Sequence, residues 1–208
     1  MSVIKNVNYK LDNFSLSIPS WELPDQGLSV LTGESGSGKS TLLDLLVGFR
    51  KCKGMSWNFL GEDYCSKKIE SKSIGLVLQK GELFPHLTSG QCVKFAAEAR
   101  GNHNYEEELE NYTEVLGLKN ELLEQKTSTL SGGEKQRVAL ICALIGRPKI
   151  LLLDEAFSAL DKENKQKALE LVNKFCLNKK VPALLVTHDV SLISKSISSF
   201  KLLNGSIL

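Results

Sequence analysis

Gly33-Glu34-Ser35-Gly36-Ser37-Gly38-Lys39-Ser40 follows the pattern G-x-x-x-x-G-K-[ST]. It lies between an apolar run ending in Val30-Leu31 and an apolar-periodic stretch from Ser40 to Val47, a strand–loop–helix setting. Glycines there let successive backbone N–H groups curl around phosphate oxygens, and the helix that follows offers its positive N-terminal end. The Lys39 amine would reach the β- and γ-phosphates of a nucleoside triphosphate, and the Ser40 hydroxyl would ligate Mg²⁺. Thr41 is grouped with these nucleotide-binding residues. A Gly/Ser turn that merely happens to end in Lys-Ser is the bland alternative, and the setting argues against it.

A second acidic site completes the chemistry. Ile150-Leu151-Leu152-Leu153 runs into Asp154-Glu155, two carboxylates at the end of an apolar strand. Ligands of open α/β sheets sit beyond the carboxyl ends of the strands, so Asp154 is expected near the Mg²⁺ bound through Ser40. Glu155 is then placed to act as general base on the water that attacks the γ-phosphate. Were the pair only a cap for the next helix, it would need no phosphate loop beside it.

The elements that must carry these residues are legible as well. Ile74–Leu78, Lys149–Leu153 and Pro182–Thr187 are strand-like runs with charge-free interiors, the mark of strands buried on both faces. With helices between them they predict an α/β domain with a mostly parallel core sheet. The first 30 or so residues differ: Phe14, Leu16 and Ile18 alternate, which predicts a half-exposed antiparallel strand, and Pro19 and Pro24 punctuate the region. Thr88 to Thr127 offers only helical patterning rich in Glu, as in Tyr105–Leu116, and reads as an inserted helical lobe. Asn204-Gly205 between apolar residues signals a closing hairpin. The expected layout is one domain over 1–208, with 1–87 and 128–208 as the α/β core with its β subdomain and 88–127 as the helical subdomain.

Composition narrows the class. The chain has 208 residues, 42% hydrophobic and 24% charged, enough apolar content for a sizeable core. Lys plus Arg is 26 against 24 Asp plus Glu, too balanced a charge for a nucleic-acid binder. Cys52, Cys65, Cys92, Cys142 and Cys176 are odd in number and scattered, which reads as reduced thiols of a cytosolic protein. There is no signal-peptide layout and no apolar run of bilayer-spanning length. His86 and His103 lack partners at metal spacing and read as surface residues.

Leu130-Ser131-Gly132-Gly133-Glu134-Lys135-Gln136-Arg137 makes the reading specific. Together with Asp154-Glu155, Ser158-Ala159-Leu160-Asp161 and Thr187-His188-Asp189, it resembles the ATP-binding-cassette (ABC) ATPases in motif order and approximate spacing, from Tyr9 to the terminal hairpin. The resemblance implies head-to-tail dimers, a homodimer or a cassette pair, with two ATP molecules at the interface. The phosphate loop of one subunit then faces Ser131, Gly132 and Gly133 of the other. A hydroxyl and bare N–H groups at a helix start suit a γ-phosphate, and Ser131 with Glu134 also forms a capping box. Gln79 matches the family's glutamine loop, expected to touch Mg²⁺ or the attacking water and to link the site to the helical lobe. His188 matches the switch histidine on the γ-phosphate, and Asp161 the loop that couples the two sites. Tyr9 is implied as the aromatic that stacks on adenine, with Phe14, whose alternation suggests core, as its competitor. The chain departs from the family's pattern at Ala156, where Pro is frequent, and at the apolar Leu140-Ile141-Cys142, where an Arg is frequent; neither change touches a phosphate contact.

Leu83-Phe84-Pro85-His86-Leu87-Thr88, just after Gln79, resembles the segment that lines the groove for a membrane partner in bacterial importers. The resemblance thus implies an ATP-hydrolysing subunit with ATP and Mg²⁺ as cofactors. It would be cytoplasmic, peripheral on the inner face of the membrane, and coupled to integral membrane transporter subunits of a bacterial importer. An exporter or lipoprotein-release cassette is the alternative, and so is a soluble ABC ATPase. The absence of coiled-coil heptads and of a second cassette disfavours the DNA-repair and translation relatives.

Overall fold

The computed structural model describes residues 2–11 and 14–208. In chain order, strands β1 (Ser2–Leu11), β2 (Phe14–Leu23) and β3 (Gly27–Thr32) lead into helix α1 (Lys39–Val47). Strands β4 (Ser56–Phe59), β5 (Glu62–Asp63) and β6 (Ile74–Val77) come next, then helices α2 (Ser89–Glu98), α3 (Glu106–Val115) and α4 (Gly132–Ile145). Strand β7 (Ile150–Asp154), helix α5 (Lys162–Lys179) and strands β8 (Pro182–Thr187), β9 (Ser198–Leu203) and β10 (Ser206–Ile207) follow.

The charge-free runs form the six-stranded sheet β10-β9-β3-β8-β7-β6, parallel throughout except for the β9–β10 hairpin. Both of its faces are covered, which explains why those runs carry no polar alternation. Leu151, Leu153, Ala183 and Leu185 pack toward α2–α5, while Ile150, Leu152, Leu184 and Val186 pack toward α1 and the second sheet. The hairpin turns through Asn204 (φ 49°) and Gly205 (φ 77°), the positive-φ pair that a two-residue turn requires.

The second sheet is antiparallel, ordered β2-β1-β4-β5. Its strand β2 runs straight through Pro19 to Leu23 rather than stopping there. Two features permit this: β2 is an edge strand, and opposite Pro19 the partner strand β1 holds Asn6 in a left-handed conformation (φ 58°) outside the pairing, while the register continues unbroken on either side, Lys5 with Ser20 and Val7 with Ile18. Strands β4 and β5 were not expected from sequence; Trp57 and Phe59 point inward and pack with Tyr64 in an aromatic cluster.

Among the described residues no strand falls between 89 and 125. The helical segment enters and leaves at one place, where Thr88 bridges Lys126 and the Ser89 N–H donates to Gln125 O at 3.0 Å. A capping box between Thr88 and Gln91 starts α2 there.

Register brings the chemistry to one sheet edge. Thr32 pairs with Thr187 and Lys201, Asp154 with Val186, and Val77 with Leu153. The loops that begin at Gly33, Glu155, His188 and Gln79 therefore all emerge at the carboxyl ends of adjacent parallel strands.

Candidate functional site

The phosphate loop joins β3 to α1, and Gly38 (φ 100°) turns it into the helix. A side chain at Gly38 would collide with the ring of Phe14, which reaches over from the antiparallel sheet. Lys39 is only 7% exposed, and its Nζ donates to the carbonyl oxygens of Gly33 and Glu34, both at 2.8 Å. The amine thus braces the loop around itself.

Ser40 stands beside the Asp154 carboxyl in the same cleft, as expected of neighbours around one cation. Asp154 is 7% exposed, and burial holds its carboxyl above the usual range, with the Ser40 hydroxyl opposing. Its Oδ1 is buried with no hydrogen-bond partner. An orphaned carboxylate oxygen beside a hydroxyl is the donor set that Mg²⁺ takes when phosphates and waters supply its remaining ligands, so the residues fit the ion. Among the described residues no cluster of three or more His, Cys, Asp or Glu could hold a metal by itself.

Glu155 adopts a left-handed backbone (φ 47°), uncommon for a residue with a side chain. Its N–H donates to Val186 O at 2.9 Å. Its Oε1 accepts the His188 N–H at 3.0 Å and lies 2.8 Å from His188 Nδ1, while Oε2 accepts the Thr187 hydroxyl at 3.2 Å. An ionised carboxylate only accepts, so Nδ1 carries the proton in this arrangement.

One cleft of about 580 Å³ gathers Ser35, Gly36, Gly38, Lys39, Ser40, Thr41, Gln79, Asp154, Glu155 and His188. Glu34 and Ser37 line an adjoining hollow of about 360 Å³, and Phe14 faces both spaces. Tyr9 lines neither: its hydroxyl accepts from Arg50 at 3.3 Å. The aromatic that borders the phosphate loop is Phe14, which is partly buried and also packs against the core beneath the two sheets.

Ser131, Gly132, Gly133 and Asp161 lie outside this cleft. Ser131 caps α4, its hydroxyl donating to Glu134 Oε2 at 2.6 Å and its N–H to the same oxygen at 2.8 Å. Asp161 caps α5: the Asn164 N–H at 2.9 Å, first, and its side-chain amide at 2.6 Å hold the Asp161 carboxyl below the usual range.

The 83–88 segment divides in two. Leu83 packs against the core, whereas Phe84 is 47% exposed and meets Phe95 of α2, 54% exposed, edge-to-face at 5.3 Å. The Phe84 backbone is pinned beneath them, its carbonyl accepting the Thr127 hydroxyl at 2.7 Å.

Gln136 and Gly81 drew no role from sequence. Gln136 is a buried polar residue in register with Leu140 and Ala143 on the core face of α4, a signal legible as one amide in an apolar stripe. Gly81 (φ 56°) lets the turn after Gln79 close onto α4, where a Cβ would stand 2.8 Å from the Gln136 nitrogen.

The family model described as ABC transporter matches residues 16–158. The thiamine import ATP-binding protein ThiQ of Histophilus somni is 40% identical over 77% of this chain and 76% of its own length. The molybdenum import ATP-binding protein ModC of Methylococcus capsulatus is 37% identical over 80% of this chain, which spans about half of that relative (48%). Among solved structures, a dimeric bacterial ABC transporter cassette superposes with a TM-score of 0.83 at 27% identity, covering 100% of this chain and 96% of that one. A dimeric cassette in a post-hydrolysis state, bound to ADP and Pi, gives 0.83 at 25% identity with the same coverage.

Proposed function

Because the chain belongs to the ABC transporter family, we propose that it is the ATP-hydrolysing subunit of a solute importer, working as a head-to-tail pair beneath membrane subunits made as separate chains. The observation that carries this is the convergence of Lys39, Ser40, Gln79, Asp154, Glu155 and His188 on one cleft beside the phosphate loop.

Each residue then has a task. Backbone N–H groups of 33–38 and the start of α1 receive the β- and γ-phosphates, and Lys39 exchanges its carbonyl partners for phosphate oxygens. Ser40 and Asp154, with Gln79, would hold Mg²⁺, which neutralises charge on the phosphates when bound. Glu155 takes the proton of the attacking water, and His188 turns from Glu155 toward the γ-phosphate. Phe14 stacks on adenine. Ser131, Gly132 and Gly133, outside their own cleft, serve the partner's nucleotide, and Asp161 lies between the two sites.

The exposed Phe84–Phe95 pair is where a membrane subunit would seat an apolar segment. Among the described residues no helix is long and apolar enough to cross a membrane. The chain would sit on the cytoplasmic face. The import-protein relatives support import over export.

The test is to express tagged Glu155→Gln in its host, add ATP and Mg²⁺, and purify it from detergent-solubilised membranes with and without Phe84→Glu. A multi-span membrane protein retained by the first and lost with the second is expected. Recovery of soluble partners alone would replace this reading with a soluble assembly ATPase.

A further inference from the structure

Gln136 lies in the first turns of α4, just past the Ser131–Glu134 capping box, and is 1% exposed. Its Nε2 stands 2.8 Å from the carbonyl oxygen of Gln79, 3.2 Å from that of Glu155 and 3.1 Å from Ser158 Oγ. Its Oε1 accepts the Ala159 N–H at 3.0 Å. The amide cannot be turned over, because a flip would set oxygen against two carbonyl oxygens and nitrogen against an N–H. Nε2 carries two hydrogens and faces three acceptors, so it can trade one partner for another without leaving its place.

These partners belong to both halves of the proposed mechanism. Gln79 and Glu155 serve this chain's own cleft. Ser158 and Ala159 begin the stretch to Asp161, and a Cβ on Gly133 would stand 3.0 Å from the Ala159 carbonyl oxygen, so the same residue lies against the segment offered to a partner. Glu155 depends on the network for its strained backbone: its carbonyl accepts from Ser158 N at 3.0 Å and from Gln136. The turn at Gly81 rests on the α4 backbone at Lys135 and Gln136, so a shift of that helix end is felt by the Gln79 loop.

We propose that Gln136 is a positioning residue that ties the state of this chain's own nucleotide cleft to the Ser131–Gly133 segment it presents to its partner's nucleotide. This rests on the paired reading above. With nucleotide in the cleft, movement at Gln79 or Glu155 changes which acceptors Nε2 serves and shifts Ala159 against Gly133. Without Gln136, ATP should still bind, but binding should no longer set the far segment for closure.

Two variants test it. Gln136→Leu keeps roughly the shape and removes all the bonds. Gln136→Glu keeps the shape and the acceptor for Ala159 but not the two-hydrogen donor. For Gln136→Leu, affinity for a fluorescent ATP analogue within about threefold of the parent is expected, with kcat down about tenfold or more and KM little changed. In the Glu155→Gln background it should need about tenfold more ATP to dimerise than Glu155→Gln alone. Gln136→Glu in the same background should show a like defect, which loss of packing would not produce in a side chain of the same shape. Either double variant dimerising at the same ATP concentration as Glu155→Gln alone overturns the proposal. Failure of Glu155→Gln alone to dimerise overturns the paired reading and this proposal with it.

Discussion

Oε1 of Glu155 accepts the backbone N–H of His188 at 3.0 Å and lies 2.8 Å from Nδ1 of the same side chain. With Thr187 on the other oxygen, three of the carboxylate's acceptor positions are taken. In the proposed mechanism entry of the γ-phosphate draws the His188 ring away and opens Oε1 to the attacking water. His188→Ala removes the ring from that oxygen, which keeps the backbone N–H of residue 188, and leaves no group to follow the phosphate. Turnover should fall about tenfold or more with ATP affinity changed less than about threefold, measured by phosphate release and nucleotide titration. Loss of affinity in step with turnover would place His188 in ground-state binding instead.

Phe14 and Tyr9 offer a sharp comparison. Phe14 borders both the phosphate cleft and the adjoining hollow, and a ring stacked on a base contributes about 1–3 kcal/mol. Phe14→Ala should weaken ATP binding about tenfold, whereas Tyr9→Ala, which removes a ring that lines neither space, should leave it within about threefold. The reverse order, read by titration with a fluorescent ATP analogue, would return the stacking role to Tyr9.

Asp154→Asn should separate stability from activity. Burial already disfavours the charged form, and Oδ1 has no partner, so a neutral amide relieves the nucleotide-free protein. Its thermal midpoint without nucleotide should match or exceed the parent's, while Mg²⁺-dependent hydrolysis falls about a hundredfold. A large drop in midpoint would show that Asp154 is structural.

The turn after His188 gives a pH signature. Nζ of Lys165 donates to Asp189 at 2.8 Å; that bond first, then the Ser191 hydroxyl, hold the Asp189 carboxyl down to about 2. A carboxyl depressed on folding contributes stability that is full above the unfolded value of about 3.9 and is lost as pH falls through the folded value. Thermal midpoints followed from about pH 5 to about pH 2 should fall less steeply for Lys165→Met than for the parent. Parallel curves would mean that Lys165 does not set that pKa.

The readable features were local in the chain. The phosphate loop, the Asp154-Glu155 strand end and the Asn204-Gly205 turn each occupy a few residues whose types fix their geometry. What escaped depends on contacts between distant segments. Phe14 meets Gly38 only because the antiparallel sheet folds over α1, so its alternation with Leu16 and Ile18 showed its packing against the core but not its place beside the phosphate loop. Pro19 stays within β2 because β2 is a sheet edge and the position opposite, Asn6, is left out of the pairing, and neither circumstance shows in the residues around it. Gln136 showed its burial, as one amide in an apolar stripe, but not its partners, which come from two loops.

The strand that delivers the phosphate loop has as its two neighbours β8 and β9, roughly a hundred and fifty residues further along. During synthesis on the ribosome, residues 33–40 emerge long before either flank of their strand exists. The nucleotide cradle can close only after residue 203 has left the exit tunnel. ATP therefore cannot template the early folding of this chain; it can bind only a chain whose sheet is already assembled.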